Sequence, residues 1–228
     1  MPLDAARWKF GFLAISDAGK TYNACVLAEE MIKNGIPIVT IDGIGIWWGL
    51  RVGVDGHEGL PVVIFGGDHK DIAIPTKVTT VQRGKTQYPQ VDEDRLRLAV
   101  KAILEAHISV VLDTSEFSKS MQRRIVTVFA QELYRLNASY GVRHVFIEEA
   151  DMFIPQRISG DIAPCAGAID DLIRRGGNFN LGSTLISQRP AVVNKDVLTQ
   201  INCLVALRIL AKIDKQAVKT WVASCPKT

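Results

Sequence analysis

Several things are scarce in this chain of 228 residues, and each scarcity excludes a class of protein. No apolar run approaches the ~18 residues that a helix needs to cross a bilayer. The opening MPLDAARWKF also lacks the apolar stretch of a signal peptide, so a cytoplasmic protein without a membrane partner is expected. The four cysteines, Cys25, Cys165, Cys203 and Cys225, are scattered without a C-x-x-C pair, and the four histidines show no ligand spacing. Free thiols in a reducing compartment are therefore expected, not a disulfide framework or a zinc site. Aromatic residues make up 7% of the chain, too few for a surface that stacks single-stranded bases. There is no internal repeat and no low-complexity linker.

What is present fits one α/β domain spanning 1–228. The 47% hydrophobic and 22% charged content is ordinary for a globular core and excludes disorder or a collagen-like repeat. Net charge is +3 and uneven: residues 170–228 hold 9 Lys and Arg against 4 Asp and Glu, a balance of +5. A basic final quarter suits contact with phosphate. Short β-branched runs alternate with longer helical patterns, which predicts a mostly parallel sheet flanked by helices on both faces. Strands are expected at 10–15, 36–42, 62–65, 108–113, 145–149, 183–187 and 203–207, and helices at 20–34, 93–106, 119–137, 166–175 and 215–223. Gly35 and Pro37 mark the end of the first helix, and Asp92 is the expected N-cap of the second. Residues 66–91, rich in Gly, Pro and charge, read as a loop or an excursion from the sheet.

The sharpest local signal is Ala14-Ile15-Ser16-Asp17-Ala18-Gly19-Lys20-Thr21, between a predicted strand and a predicted helix. It keeps the last three positions of the phosphate-loop pattern G-x-x-x-x-G-K-[ST] and has Ala for the first Gly. In such a loop, backbone N–H groups at a helix start surround the phosphates, Lys20 supplies charge and the Thr21 hydroxyl binds Mg²⁺. Asp17 places a carboxylate where many phosphate loops have Gly. The plainer reading is an ordinary strand–turn–helix with a chance G-K-T.

Further along come Asp42-Gly43-Ile44-Gly45-Ile46-Trp47-Trp48-Gly49, Phe65-Gly66-Gly67-Asp68-His69-Lys70, Val111-Leu112-Asp113-Thr114-Ser115, Phe146-Ile147-Glu148-Glu149-Ala150-Asp151, Pro155-Gln156-Arg157 and Ile186-Ser187-Gln188-Arg189-Pro190. In this order, with the phosphate loop, they resemble the HerA-like group of the HerA/FtsK-type motor ATPases. That resemblance implies a RecA-like P-loop NTPase fold. It also implies ATP and Mg²⁺ as cofactors, double-stranded DNA as a partner, and a homo-hexameric ring. Archaeal members act with a NurA-type nuclease, and others stand beside antiviral effectors, so a nuclease or effector partner is implied too. Ala14, Ser16, Asp17, Ala18, Gly19, Lys20, Thr21 and Tyr22 would contact the nucleotide. The family usually adds an N-terminal β-barrel and C-terminal helices. Here a minimal ATPase core, a fragment or a reduced phage-type member is expected.

Hydrolysis needs one carboxylate for the metal shell and another to orient water. The strand that ends in Glu148-Glu149 supplies both, with Glu148 and Thr21 assigned to the metal and Glu149 to water activation; a solvated acidic strand end is the alternative. Asp113 either lines the site or plays a structural part. Gln188 is placed to sense the γ-phosphate or the attacking water. The family shows an R-x-G-R-x-x-G-like run where this chain has 173–182, with Gly177 in place of an Arg and Asn180 in place of a Gly. Arg174 and Arg175 remain as candidate fingers, although helix-end arginines explain them almost as well; Arg189 is a further candidate. Trp47 and Trp48, read as extended neighbours facing opposite ways, suit packing better than base stacking. Lys70, Lys77, Arg83 and Lys85 are the candidates for DNA contact. Two readings of function stay open: an ATP-hydrolysing DNA translocase subunit, and a non-hydrolysing nucleotide-binding protein that joins a related ring. A P-loop kinase or GTPase is disfavoured, because neither an N-K-x-D motif nor a lid-like Arg cluster is present.

Overall fold

The computed structural model describes residues 3–53, 58–80 and 87–224. In an extended chain successive side chains point to opposite faces, and here both faces are apolar. In β2 (Ile38–Asp42) the side chains of Val39 and Ile41 enter one core layer and Ile38 the other. β6 (Ser109–Asp113) divides in the same way, with Val110 and Leu112 opposed to Val111. Burial on both faces is what a parallel sheet requires, and it places the core in two layers with helices outside each.

Three more strands complete the middle of the sheet: β1 (Lys9–Leu13), β7 (Arg143–Ile147) and β8 (Leu181–Ser187). With β3 (Val62–Phe65) and β9 (Cys203–Ala206) they form a seven-stranded parallel sheet, ordered β3-β6-β2-β7-β8-β1-β9. α1 (Lys20–Lys33) packs Ala24, Ala28 and Met31 on one face. α2 (Glu93–Glu105), α3 (Lys119–Leu136) and α4 (Ile162–Arg175) cover the other. α5 (Lys195–Leu198) and α6 (Lys212–Ser224) flank the last strand. Among the described residues no helix is long and apolar enough to cross a membrane.

The expected elements are all present, with informative shifts. Asp92 caps α2 by accepting from Arg95 N at 3.3 Å. α4 starts at Ile162, four residues before the predicted start, because Pro164 falls in its first turn, where no backbone donor is needed. Part of the segment read as a loop over 66–91 is an antiparallel hairpin of β4 (Thr76–Thr80) and β5 (Gln87–Val91). The strand predicted to run to Glu149 stops at Ile147. Glu148 lies just beyond it, and Glu149 turns into the left-handed region at φ 47°.

Candidate nucleotide site

The phosphate loop leaves β1 tied to the chain on both sides. Ala14 N donates to Ser187 O at 3.3 Å, and Ile15 N to Arg208 O at 3.0 Å. Gly19 then adopts φ 82° and opens α1 without any side-chain cap, so the helix start presents its free N–H groups, as an anion-binding turn does. Asp17 also sits at positive φ (57°), which Asp tolerates better than most residues, and its side chain faces solvent.

The first residues of α1 face the acids after β7. Lys20, buried, has its Nζ 3.4 Å from Glu149 Oε1. Thr21 Oγ1 donates to Glu148 Oε1 at 3.2 Å. β8 lies between β1 and β7, so Gln188 at its end bridges them: its amide donates to Glu149 and its oxygen accepts from Ser16 Oγ. Burial pushes the Glu148 carboxyl up to about 7, against the opposing pull of its Trp47 bond and the Lys20 charge. The same burial, with the charges of Glu148 and Asp42, raises the Cys25 thiol to about 12 and keeps it protonated.

Trp47 is the functional neighbour that sequence reasoning missed. Trp47–Arg51 is a 3₁₀ turn, not an extended segment, and Trp47 is fully buried with Nε1 donating to Glu148 Oε2 at 2.9 Å. Asp42 builds that turn, because its two carboxylate oxygens accept from Ile44, Gly45, Ile46 and Trp47 N at 2.8–3.0 Å. The signal was an Asp two to five residues ahead of consecutive free N–H groups. Trp48 stacks on His69 at 3.7 Å.

The remaining candidates fall elsewhere. Tyr22 is 74% exposed. Asp113 accepts from Ser115 N at 2.9 Å, and a side chain at Gly67 (φ +70°) would reach within 2.0 Å of its Oδ2. Arg174 and Arg175 are not brought into this site; they pair along α4 with Asp170 at 3.6 Å and Asp171 at 3.2 Å. The Arg174 charge acts instead on Lys9, at the start of β1 and so at the opposite edge of the sheet from the loop. Arg189 faces a cleft described below. Lys70 pairs with Glu116 at 3.5 Å, Lys77 lies on β4, and Arg83 and Lys85 lie outside the described residues. Cys25, Cys165 and Cys203 are free thiols, and Cys225 lies outside the described residues.

Among the described residues no group of three or more His, Cys, Asp and Glu gathers as a metal cage. One hydroxyl and one carboxylate, the Thr21–Glu148 pair, is the hard oxygen set that suits Mg²⁺ held jointly with substrate phosphates, so the residues fit that ion.

Sheet order, phosphate loop and acidic strand end define a RecA-like P-loop NTPase fold. Within that class the chain is similar to HerA helicases. It is 26% identical over 136 residues to the DNA double-strand break repair helicase HerA of Pyrococcus furiosus, covering 56% of this chain and 24% of that protein. It spans about a quarter or less of the curated relatives it matches. The genome packaging NTPase B204 of Sulfolobus turreted icosahedral virus 2, in complex with AMPPCP, superposes with a TM-score of 0.55 at 11% identity over 96% of this chain and 84% of that one. VirB4 of Thermoanaerobacter pseudethanolicus gives 0.58 at 14% over 96% and 81%. At these identities the two structures speak for the fold. No family model matches the chain.

Proposed function

We propose that the chain is an ATP-hydrolysing, DNA-translocating motor subunit of the HerA-like kind, working with Mg²⁺ in a homo-hexameric ring. The observation that carries this reading is the meeting of Lys20 and Thr21 with Glu149 and Glu148 at one sheet edge. In this reading Lys20 leaves Glu149 for the incoming γ-phosphate, and the freed Glu149 carboxylate accepts a proton from the attacking water. The water oxygen bonds to the γ-phosphorus as the bond to the β-bridging oxygen breaks, giving ADP and phosphate. Gln188, already bonded to Glu149 and Ser16, holds the water's orientation. Thr21 and Glu148 would hold Mg²⁺, which supplies charge to the leaving oxygens. Trp47 fixes the Glu148 carboxylate by its indole N–H. The similarity to a DNA repair helicase and the AMPPCP-bound packaging NTPase support DNA and ATP as ligands. A nuclease or effector partner belongs to the same reading.

ATP turnover with Mg²⁺ and duplex DNA tests it, alongside mass photometry with and without nucleotide. Turnover that Lys20→Ala abolishes, in a hexamer, is expected; a persistent monomer without turnover sinks the reading. Asp17, left-handed and solvent-facing in the loop itself, favours a second reading in which ATP binds without hydrolysis and the chain joins a related ring. Turnover gained in Asp17→Gly would trace the deficit to that carboxylate.

A further inference from the structure

On the α3 side of the same sheet edge lies a cleft of about 460 Å³, bounded by the start of α3 and by the segments that follow β7 and β8. Lys119, Arg123, Arg157 and Arg189 line it with two acids, Asp151 and Asp161. Both acids are already engaged. Asp161 holds the Arg123 guanidinium at 3.0 Å, and Asp151 accepts from Ser187 Oγ at 2.8 Å. Among the described residues Lys119, Arg157 and Arg189 form no ion pair, and all three are exposed. Four cations against two carboxylates leave the lining with an excess of positive charge, and an anion relieves the repulsion among the cations.

The walls are fixed. Gln156 N donates to Val192 O at 2.6 Å and Asn194 N to Ile154 O at 3.1 Å, lacing the two post-strand segments together. The chemistry left available is narrow. Gln122, the only side-chain amide in the lining, spends its Nε2 on Gly43 O at 3.2 Å and Thr114 O at 2.9 Å. Three cations on three separate segments suit a chain of phosphates.

We propose that this cleft binds the phosphates of a polynucleotide backbone. The inference deepens the motor reading and rests on it for DNA as the polymer. Its place would let the motor feel an occupant: Asp151 forms part of the lining and is bonded to Ser187, whose neighbour Gln188 is bonded to Glu149.

The test is Lys119→Ala combined with Arg157→Ala, two exposed positions outside the nucleotide site. Fluorescence anisotropy with labelled duplexes of two unrelated sequences, across a salt series, should show about a tenfold loss of affinity. The log–log salt slope should shrink by about 2, one for each lost phosphate contact, equally for both sequences. Calorimetry with ATP should give wild-type affinity. Unchanged duplex affinity and slope in the double variant overturn the proposal, as does a wild-type protein that binds no duplex. Pyrophosphate that binds the wild type but not the variant, with no duplex binding, reassigns the cleft to free phosphate and also overturns it. Loss of ATP binding by the wild type alone would strike the nucleotide reading and leave this one to the duplex data.

Discussion

The two sides of one sheet edge handle charge in opposite ways. On the α1 side Lys20 meets Glu149, Thr21 meets Glu148, and Gln188 ties Glu149 to Ser16. On the α3 side Lys119, Arg157 and Arg189 face a cleft whose cations outnumber its carboxylates, Asp161 being paired with Arg123 and Asp151 bonded to Ser187. A ligand on the first side must displace partners the chain already provides, so binding there rearranges the site. A ligand on the second side finds its partners unengaged. Affinity on the first side is therefore a difference between two sets of contacts, whereas on the second it is set by unscreened charge and falls steeply with salt.

The severest way to break this contrast is Lys20→Ala. Turnover should vanish and nucleotide affinity fall by at least about a hundredfold, roughly 3 kcal/mol, while duplex binding at the cleft persists. Loss of both together in a folded protein would show that the two sides are one site. Glu149→Gln should stop turnover yet keep nucleotide binding, since it removes a competitor for Lys20 along with the water's base.

Next in size is Trp47→Ala, which should cost about 3–5 kcal/mol in denaturant unfolding, because it empties a buried site and strips Glu148 of a donor. Trp47→Phe keeps most of the volume and isolates the lost indole N–H. A wild-type Mg²⁺ requirement for nucleotide binding in Trp47→Phe would reduce Trp47 to packing.

The start of β7, at the far end of the strand that carries the acids, offers a pH control. His144 is buried between Ala6 O at 2.8 Å and Thr184 Oγ1 at 2.7 Å, and burial lowers its pKa to about 4. The unfolded chain takes up a proton near 6.5 and the folded one does not until near 4. Its contribution, on the order of 3 kcal/mol, is therefore complete above about pH 6.5 and lost as pH falls to about 4. Urea midpoints in wild type and His144→Gln check this, and a midpoint that is flat with pH in the wild type would contradict it.

The smallest effect expected is on the cleft side. Lys119→Ala and Arg157→Ala should each change stability by no more than about 0.5 kcal/mol, since neither cation has a partner to lose. A larger cost would reveal a counter-ion and undo the contrast between the two sides.

Much of this edge was legible in the sequence because local rules govern it. A strand, a turn with G-K-T and a helix place Lys20 and Thr21 whatever the tertiary context. Apolar runs ending in acids pointed to Glu148 and Glu149 in the same way. Periodicity also found β9 and α6. What local rules could not reach was pairing across the chain. The Asp at the head of Asp42-Gly43-Ile44-Gly45-Ile46 hints at a turn, but not that it will curl Trp47 inward onto Glu148, 101 residues away. Asp113 was equally ambiguous, because its surroundings depend on Gly67 crossing close to it from the turn after β3. The cleft cations come from three stretches that together span 70 residues of sequence, and no spacing pattern joins Lys119 to Arg189.

The turn after β2 has a bearing on timing. Consecutive N–H groups folded round an anion are the backbone device of a phosphate loop, and this molecule contains a second instance whose anion, the Asp42 carboxylate, is covalently its own. That turn needs no visitor to become ordered, so it is finished when folding is finished. Trp47, and through it Glu148, is in position before any nucleotide arrives. Half of the machinery is thus assembled in advance, and the entropy of arranging it is charged to folding, once, and not to each round of ligand capture.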